Sequence, residues 1–513
     1  MKGLYLTAVL LALMMSYANP YKILGVFPVS FKSHWVIGHS IMKSLANAGH
    51  EVYMISPFPL KKAIPNYNDV NLVYDNELEL GNMFVREDYP PQKHMSLLSN
   101  LGEFLSNFTL SHPNVKALLK REKHFDAIIV EVFFFEALYG LAAHYNCPLI
   151  GSSTFSTSKW TNDLTKAPME YAYVPHNFVK FSENMNFWQR TYNMLICQYE
   201  NLFMELYHYE RQKRVFDYHF GHTGKSLKAV MKSTSLVFIY HHFSVLSIRP
   251  TVANMIEIGG LHVDEPKELP QDIKEFLDSA HDGAILFSFG SMIQGSDLPV
   301  EKRNAFIKVF SQLKEKVIWK FENETLIDKP DNVMTSSWIP QRDILAHPNV
   351  KLFITHGGLL GTTEAIIEGV PVIGVPIYSD QKMNMLQAQQ MGIGTVMEYK
   401  DINEDLILKN INEVLRKFEY QNNAQKISKI FKDRPMTPQQ STVYWVEYAI
   451  RNQGASHLRS AAHKLNYFQL HLIDSYLFVL AMIGFIVYGF YKAVKRVLRS
   501  LMNTFGVRKV KSD

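Results

Sequence analysis

The stretch FITHGGLLGTTEAIIEGVPVIGVPIYSDQ, Phe353 to Gln381, constrains the fold of this chain more than any other. KLFIT, which leads into it, reads as a buried strand. His356-Gly357-Gly358 comes at once after it, and glycines permit a tight turn and a close backbone approach. Thr362, Thr363 and Glu364 are expected to open a helix that Gly369 ends, and VIGVP reads as the next strand. Strand, glycine turn, helix and strand make the unit from which parallel α/β domains are built. A strand leading through glycines to a helix start also presents free backbone N–H groups to an anion, and a diphosphate is the obvious candidate. Glu364 would repel a phosphate. A carboxylate there, like Asp380 and Gln381 after the next strand, suits sugar hydroxyls better.

The same alternation runs through the chain. YKILGVFP, EVYMIS, FDAIIVEVF and CPLIGSS read as strands of a first half that ends near ANMIEIGGLHV. AILFSFGS, KVIWKF, KLFITH and VPVIGVP read as strands of a second half, after the polar stretch DEPKELPQDIKEFLDSAHDG. The fold class is therefore α/β, with two doubly wound domains facing each other across a cleft, where ligands bind at the C-terminal ends of the strands. The boundaries are 19–260 for the first domain, 261–282 for the linker and 283–432 for the second domain. Two helical segments are expected over 433–470, TPQQSTVYWVEYAI and SHLRSAAHKLNYFQLHL, packing back toward the first domain and a membrane.

Both ends carry addresses. Residues 1–18 have a lysine, an apolar run and small residues at Ser16 and Ala18, the pattern of a secretory signal peptide cleaved after Ala18. SYLFVLAMIGFIVYGFY, Ser475 to Tyr491, holds no charged residue, and a transmembrane helix is expected over 471–491. The formal charge of +5 resides in the C-terminal tail, since seven basic residues and one acid lie from Lys492 onward. That placement excludes a global nucleic-acid signature and matches a cytoplasmic tail over 492–513. Its end, KVKSD, has the lysine spacing of an endoplasmic reticulum retrieval signal. The expectation is a single-pass type I protein of that membrane, with residues 19 to about 470 in the lumen. Asn107 and Asn323 head sequons there. Cys147 and Cys197 could pair or stay as free thiols; sequence does not choose.

From Phe353 to Gln381 every fixed position matches one signature: Phe, Ile, Thr355, His356, Gly-Gly, then Glu364, two prolines and Asp380-Gln381. SHW at 33–35, HFS at 242–244, IEIGGLHV, FSFGS, WIPQRDILAHP, HLRSAAHKL and the terminal apolar span extend the likeness over nearly the whole chain. The chain resembles the UDP-glycosyltransferase family, and its HGGLL form is similar to the invertebrate, especially insect, branch. The resemblance implies the GT-B fold, two Rossmann-like domains with the donor nucleotide on the second. It implies that Trp338 stacks on uracil, that Gln341 contacts the nucleoside and that Glu364 holds the ribose hydroxyls. Ser291, His356, Gly358 and the Gly361–Thr362 backbone would hold the diphosphate. Asp380 and Gln381 would hold the transferred sugar. Leu360 departs from the Asn of many vertebrate relatives, and Leu donates no hydrogen bond.

Glycosyl transfer requires the acceptor oxygen to lose a proton as it attacks the anomeric carbon. His34, in the SHW context, resembles the family's catalytic base and is expected between the first strand's loop and a helix. Glu131, inside IIVEVFFF, stands where the family has an Asp, and an acid among such residues needs a partner. The pair reads as a dyad in which the carboxylate fixes the imidazole's tautomer. No Asp-x-Asp occurs, so no metal site and no resident cofactor is expected; the UDP-sugar is a co-substrate. Direct displacement would invert the anomeric centre. Segments near 85–115 and 155–215 are rich in Phe, Tyr, Met and Leu, which suits small lipophilic acceptors. UDP-glucose is the expected donor. UDP-glucuronate requires a cation that the sequence does not locate. A membrane-lipid glycosyltransferase and a non-catalytic carrier of hydrophobic ligands are the competing readings, and oligomeric state is not legible.

Overall fold

A computed structural model describes residues 20–74, 89–245, 248–322, 326, 328–378 and 380–504. The signal-peptide segment, the Asn323 sequon and the terminal lysines lie outside them. The chain divides into two compact units, Met1–Arg459 and Ser460–Asp513.

The first unit holds two parallel sheets. In the N-terminal half the strands are β1 (Lys22–Val26), β2 (Glu51–Ser56), β3 (Tyr67–Asn71), β4 (Ala127–Glu131), β5 (Leu149–Ser153), β6 (Leu236–Ile239) and β7 (Met255–Glu257). They lie in the order β3-β2-β1-β4-β5-β6-β7. In the C-terminal half they are β8 (Ala284–Ser288), β9 (Lys316–Lys320), β10 (Val333–Ser336), β11 (Val350–Thr355), β12 (Val372–Gly374) and β13 (Gly394–Val396). Their order is β10-β9-β8-β11-β12-β13. Both orders reverse at one point, between β1 and β4 and between β8 and β11, which opens a crevice at the C-terminal strand ends.

Helices cover both faces of each sheet, which is why the strands read as continuous apolar runs. Along β1, Leu24 and Val26 enter one buried cluster while Ile23 and Phe27 enter the other. In the second sheet Leu352 and Ile354 of β11 face one layer and Phe353 the other. Gly49 comes just after the helix Lys32–Asn47 with a φ of 95°, a conformation open to glycine at little cost. Cys147 and Cys197 are both free, and burial pushes each thiol up to about 12.

The chain then crosses back. The helix Pro438–Arg451 sends Val446 and Ala449 into the buried cluster of the first sheet. Arg434 donates to the Gly259 carbonyl at 3.0 Å, and Arg459 donates to the carbonyls of Ser233 and Thr234 at 2.6 and 3.1 Å. The second helical segment expected from sequence is instead a series of short turns, Ser456–Leu458, Ala461–Lys464 and Tyr467–Leu470. Its residues alternate small, polar and aromatic types without burying a face, so nothing sustains a long helix.

The second unit is dominated by one helix, Ile473–Thr504, none of whose side chains is buried. It starts two residues later than expected and runs well past Tyr491. Neither Pro nor Gly occurs in it after Gly489, and Lys, Arg and Leu are good helix formers, so the basic segment continues the helix. Asn107 lies in the helix Pro91–Ser111, its Oδ1 accepting from His219 Nε2 at 3.0 Å, and Thr109 of the same sequon is fully buried.

Candidate active site and donor site

At the switch point of the first sheet, β1 and β4 deliver His34 and Glu131 to one place. Glu131 is the last residue of β4, and His34 sits in the first turn of the helix Lys32–Asn47, one step further in than expected. His34 Nδ1 contacts Glu131 Oε1, and the Thr154 hydroxyl lies 3.3 Å from the same nitrogen. Both side chains are buried, Glu131 completely. The carboxylate holds the proton on Nδ1, so Nε2 is left as the acceptor nitrogen of the ring. Phe31, Phe133 and Phe155 close around the imidazole, with ring centroids at 5.4, 4.7 and 5.6 Å. Those rings exclude water on three sides. Only Phe155 falls in a segment marked as aromatic-rich by sequence.

At the switch point of the second sheet, Ser291 lies just beyond β8 and His356 just beyond β11. The His356 imidazole lies between two glycines. A Cβ on Gly290 would come within 2.7 Å of its Cε1, and one on Gly358 within 2.5 Å of its Nε2. Gly290 and Gly357 also adopt φ values of 78° and 84°, which favour glycine. Burial, with a smaller effect of the Lys320 charge, pulls the imidazole down to about 4. His356 is therefore neutral at pH 7, and its Nδ1 finds no partner among the described residues. That is the state of a hydrogen-bonding group awaiting a ligand.

The helix expected to open at Thr362 opens at Leu359, with Gly358 as its N-cap. The difference decides which amides are free. Thr362 N–H donates to the Gly358 carbonyl at 3.0 Å, and its hydroxyl donates to the same oxygen at 2.9 Å. Thr362 is thus committed to the helix. The amides of Leu359, Leu360 and Gly361 find no acceptor among the described residues, and they form the anion-facing first turn. Leu360, the position that departs from vertebrate relatives, packs with Leu359 against the cluster of the first sheet. Its side chain joins the two halves instead of donating to a ligand.

Glu364 stands one turn further along. Gln341 Nε2 donates to its Oε2 at 2.6 Å, and Gly361 makes room, since a Cβ there would meet that nitrogen at 3.0 Å. Trp338, after β10, is 62% exposed, so one face of its indole is open for stacking. Asp380 accepts from Asn384 Nδ2 at 2.9 Å. Gln381 turns its carbonyl oxygen to the Ile377 and Tyr378 amides at 2.9 and 3.1 Å, which leaves its Nε2 for a ligand.

Sequence reasoning missed what the first half brings to Glu364. His262 Nε2 lies 3.5 Å from Glu364 Oε1, and its Nδ1 lies 2.6 Å from the Tyr240 hydroxyl. Burial pushes the Tyr240 phenol well up, so it stays protonated and donates to Nδ1. Nε2 makes no hydrogen bond among the described residues and stands beside the carboxylate without bonding it. His262 lies within IEIGGLHV, a segment legible as family likeness but with no role attached to it.

A small cavity lies between the two halves. Phe155 and Ser156 line it from the first half; Leu359, Asp380 and Asn384 line it from the second.

The family described as UDP-glucoronosyl and UDP-glucosyl transferase matches residues 92–508. A UDP-glycosyltransferase of Dactylopius coccus, UGT5, is 35% identical, covering 95% of this chain and 94% of the relative. The UDP-glucosyltransferase 2 of the same insect is 35% identical over 92% of each chain. Human UDP-glucuronosyltransferase 2B7 is 28% identical over 89% of each. Among solved structures, an indoxyl-glucosylating UDP-glucosyltransferase of Polygonum tinctorium superposes with a TM-score of 0.56 at 16% identity, covering 85% of this chain and 99% of that one. The kitacinnamycin glycosyltransferase gives 0.59 at 14% identity, covering 85% and 100%. Those structures show the fold to be GT-B. With that fold and a match over most of its length, the chain belongs to the UDP-glycosyltransferase family and is a transferase that takes its sugar from a UDP-sugar.

Proposed function

We propose that the protein transfers a hexose, glucose in the first instance, from its UDP donor to a hydroxyl of a small lipophilic acceptor. His34 acts as general base and Glu131 supports it. The observation that carries this reading is Phe155, which packs on the His34 ring and lines the same small cavity as Asp380, so one side chain separates the proposed base from the proposed sugar site. In the reaction His34 Nε2 takes the acceptor's proton, and Glu131 stabilises the imidazolium that forms. The uracil would stack on Trp338, with Gln341 beside it, and Glu364 would accept from the ribose. The diphosphate would lie against the first-turn amides, Ser291 and neutral His356. Asp380 and the Gln381 amide would hold the sugar. The acceptor oxygen attacks opposite the leaving diphosphate, which inverts the anomeric centre.

The helix Ile473–Thr504 supports anchoring in a membrane by its length and apolarity, and the basic residues after Tyr491 support a cytoplasmic C-terminus with the site in the lumen. Full-length enzyme in microsomes, given UDP-glucose and 4-nitrophenol, is expected to yield the β-glucoside, read from the anomeric coupling by NMR. An α-linked product contradicts the direct displacement, and absence of transfer from UDP-glucose contradicts the donor.

A further inference from the structure

Beside the transfer cavity lies a second pocket that the proposed reaction does not use. Thr157, Lys159, His176, Asn177, Glu200 and Arg249 are among its lining residues. Asn177 lines both cavities, so the pocket adjoins the one lined by Phe155 and Asp380. Glu170 stands at its exposed rim, and of its buried charged groups all but one have a charged partner. Lys159 is bonded to Asp163. Glu200 accepts from Trp160 Nε1 at 3.2 Å and faces His176 Nε2 at 3.3 Å. Arg249 is the exception. It is 7% exposed, and no carboxylate among the described residues pairs with it. Nη1 donates to the Thr157 carbonyl at 2.7 Å and to Asn177 Oδ1 at 3.3 Å, and Nη2 reaches only the Met383 sulfur at 3.3 Å.

Burial pulls the guanidinium down to about 10, and it remains a cation at neutral pH. A buried cation with neutral acceptors only is costly, and an anion that enters beside it removes that cost. The Nε hydrogen and one hydrogen on Nη2 have no acceptor among the described residues. Nε and Nη2 share the edge of the guanidinium from which a carboxylate is bound by two parallel hydrogen bonds. Phosphate would also fit such an edge, but the diphosphate is accounted for at the second sheet's switch point. Met383 lies just beyond Asp380 and Gln381 on the same helix, so Arg249 reaches the cleft at its sugar-binding edge.

We propose that Arg249 is a carboxylate-binding subsite, filled by an acid group carried by one of the two substrates. The group is either the C6 carboxylate of a uronic-acid donor or an acid on the acceptor, which makes the accepted substrates hydroxy acids rather than plain phenols. The subsite rests on the donor and transfer sites of the proposed function.

Two substrate pairs separate the sources, each assayed with full-length enzyme in microsomes. One pair is UDP-glucuronate against UDP-glucose with 4-nitrophenol. The other is 4-hydroxycinnamate against its methyl ester with UDP-glucose. Wild type is expected to prefer the acid in one of the pairs. Arg249→Met is expected to lower the acid-to-neutral ratio of kcat/KM in that pair by roughly tenfold to a hundredfold, the worth of a charge-assisted contact. Arg249→Lys, which keeps the charge without the two-hydrogen edge, is expected to fall between. A change in the donor pair assigns the subsite to the sugar, and a change in the acceptor pair to the acceptor. Wild type without an acid preference in either pair overturns the proposal, and that result needs no variant to fold. So does a preference that Arg249→Met and Arg249→Lys leave unaltered. Wild type that uses neither donor would instead sink the reading on which the subsite rests.

Discussion

The two switch points of this molecule share a reversal of strand order and differ in character. At the first, His34 Nδ1 and Glu131 Oε1 are held by each other beside three phenylalanine rings, with Glu131 Oε2 left without a partner among the described residues. At the second, the amides of Leu359, Leu360 and Gly361, the Nδ1 of His356 and the face of Trp338 have no partner among the described residues. A base of the kind proposed for His34 needs a fixed tautomer before substrate arrives, and a built-in partner supplies it. A nucleotide site needs its hydrogen bonds left for the ligand, so they are left unmade. Substitutions in the two places should therefore fail differently, the first in turnover and the second in donor affinity.

The largest separation is expected from Glu131→Gln, which keeps the size of the side chain and removes its charge. It should lower kcat by about 10²–10⁴-fold, the range for impaired general base catalysis, with little change in UDP affinity by calorimetry. An equal loss of UDP binding would break the comparison. Glu364→Ala is expected to do the reverse, weakening UDP roughly tenfold to a hundredfold through lost contacts to a charged group. His262→Leu tests whether the first half sharpens the second. It should weaken UDP by roughly twofold to fivefold, the worth of a weak polar contact, and have no further effect in a Glu364→Ala background. Additive effects in that double-mutant cycle would mean that His262 does not act through Glu364.

The smallest effect concerns pH. Burial pulls His356, His39 and His242 from 6.5 to about 4. The unfolded chain thus binds more protons than the folded one between these values, and stability is lost as pH falls from about 6.5 toward 4. His356→Gln should shallow the fall of the thermal midpoint over that window. An unchanged slope would show that His356 is not held neutral by the fold.

How much of the molecule was legible in its sequence depends on how far each feature reaches along the chain. β1, β4, β8 and β11 are apolar runs next to glycines and turns, and a local pattern suffices to find them. His34 and Glu131 are 97 positions apart, and only the resemblance joined them. The helix start was misplaced by three residues because Thr-Thr-Glu looks like a cap, while Gly358 caps by its backbone alone. Tyr240, His262 and Arg249 act across the fold on residues of the second half, or beside them. Nothing in their neighbouring sequence records a partner more than a hundred residues away. Arg249 touches Thr157, Asn177 and Met383, three residues from separate parts of the chain that no local pattern joins.

The division between a closed catalytic dyad and an open donor site is tested most directly by His34→Ala, measured twice on the same preparation. Turnover of UDP-glucose with 4-nitrophenol and the Kd for UDP by calorimetry are read side by side. The expected result is a loss of turnover of about 10²–10⁴-fold with Kd unchanged. Turnover equal to that of wild type, or a Kd that weakens in step with turnover, would contradict it.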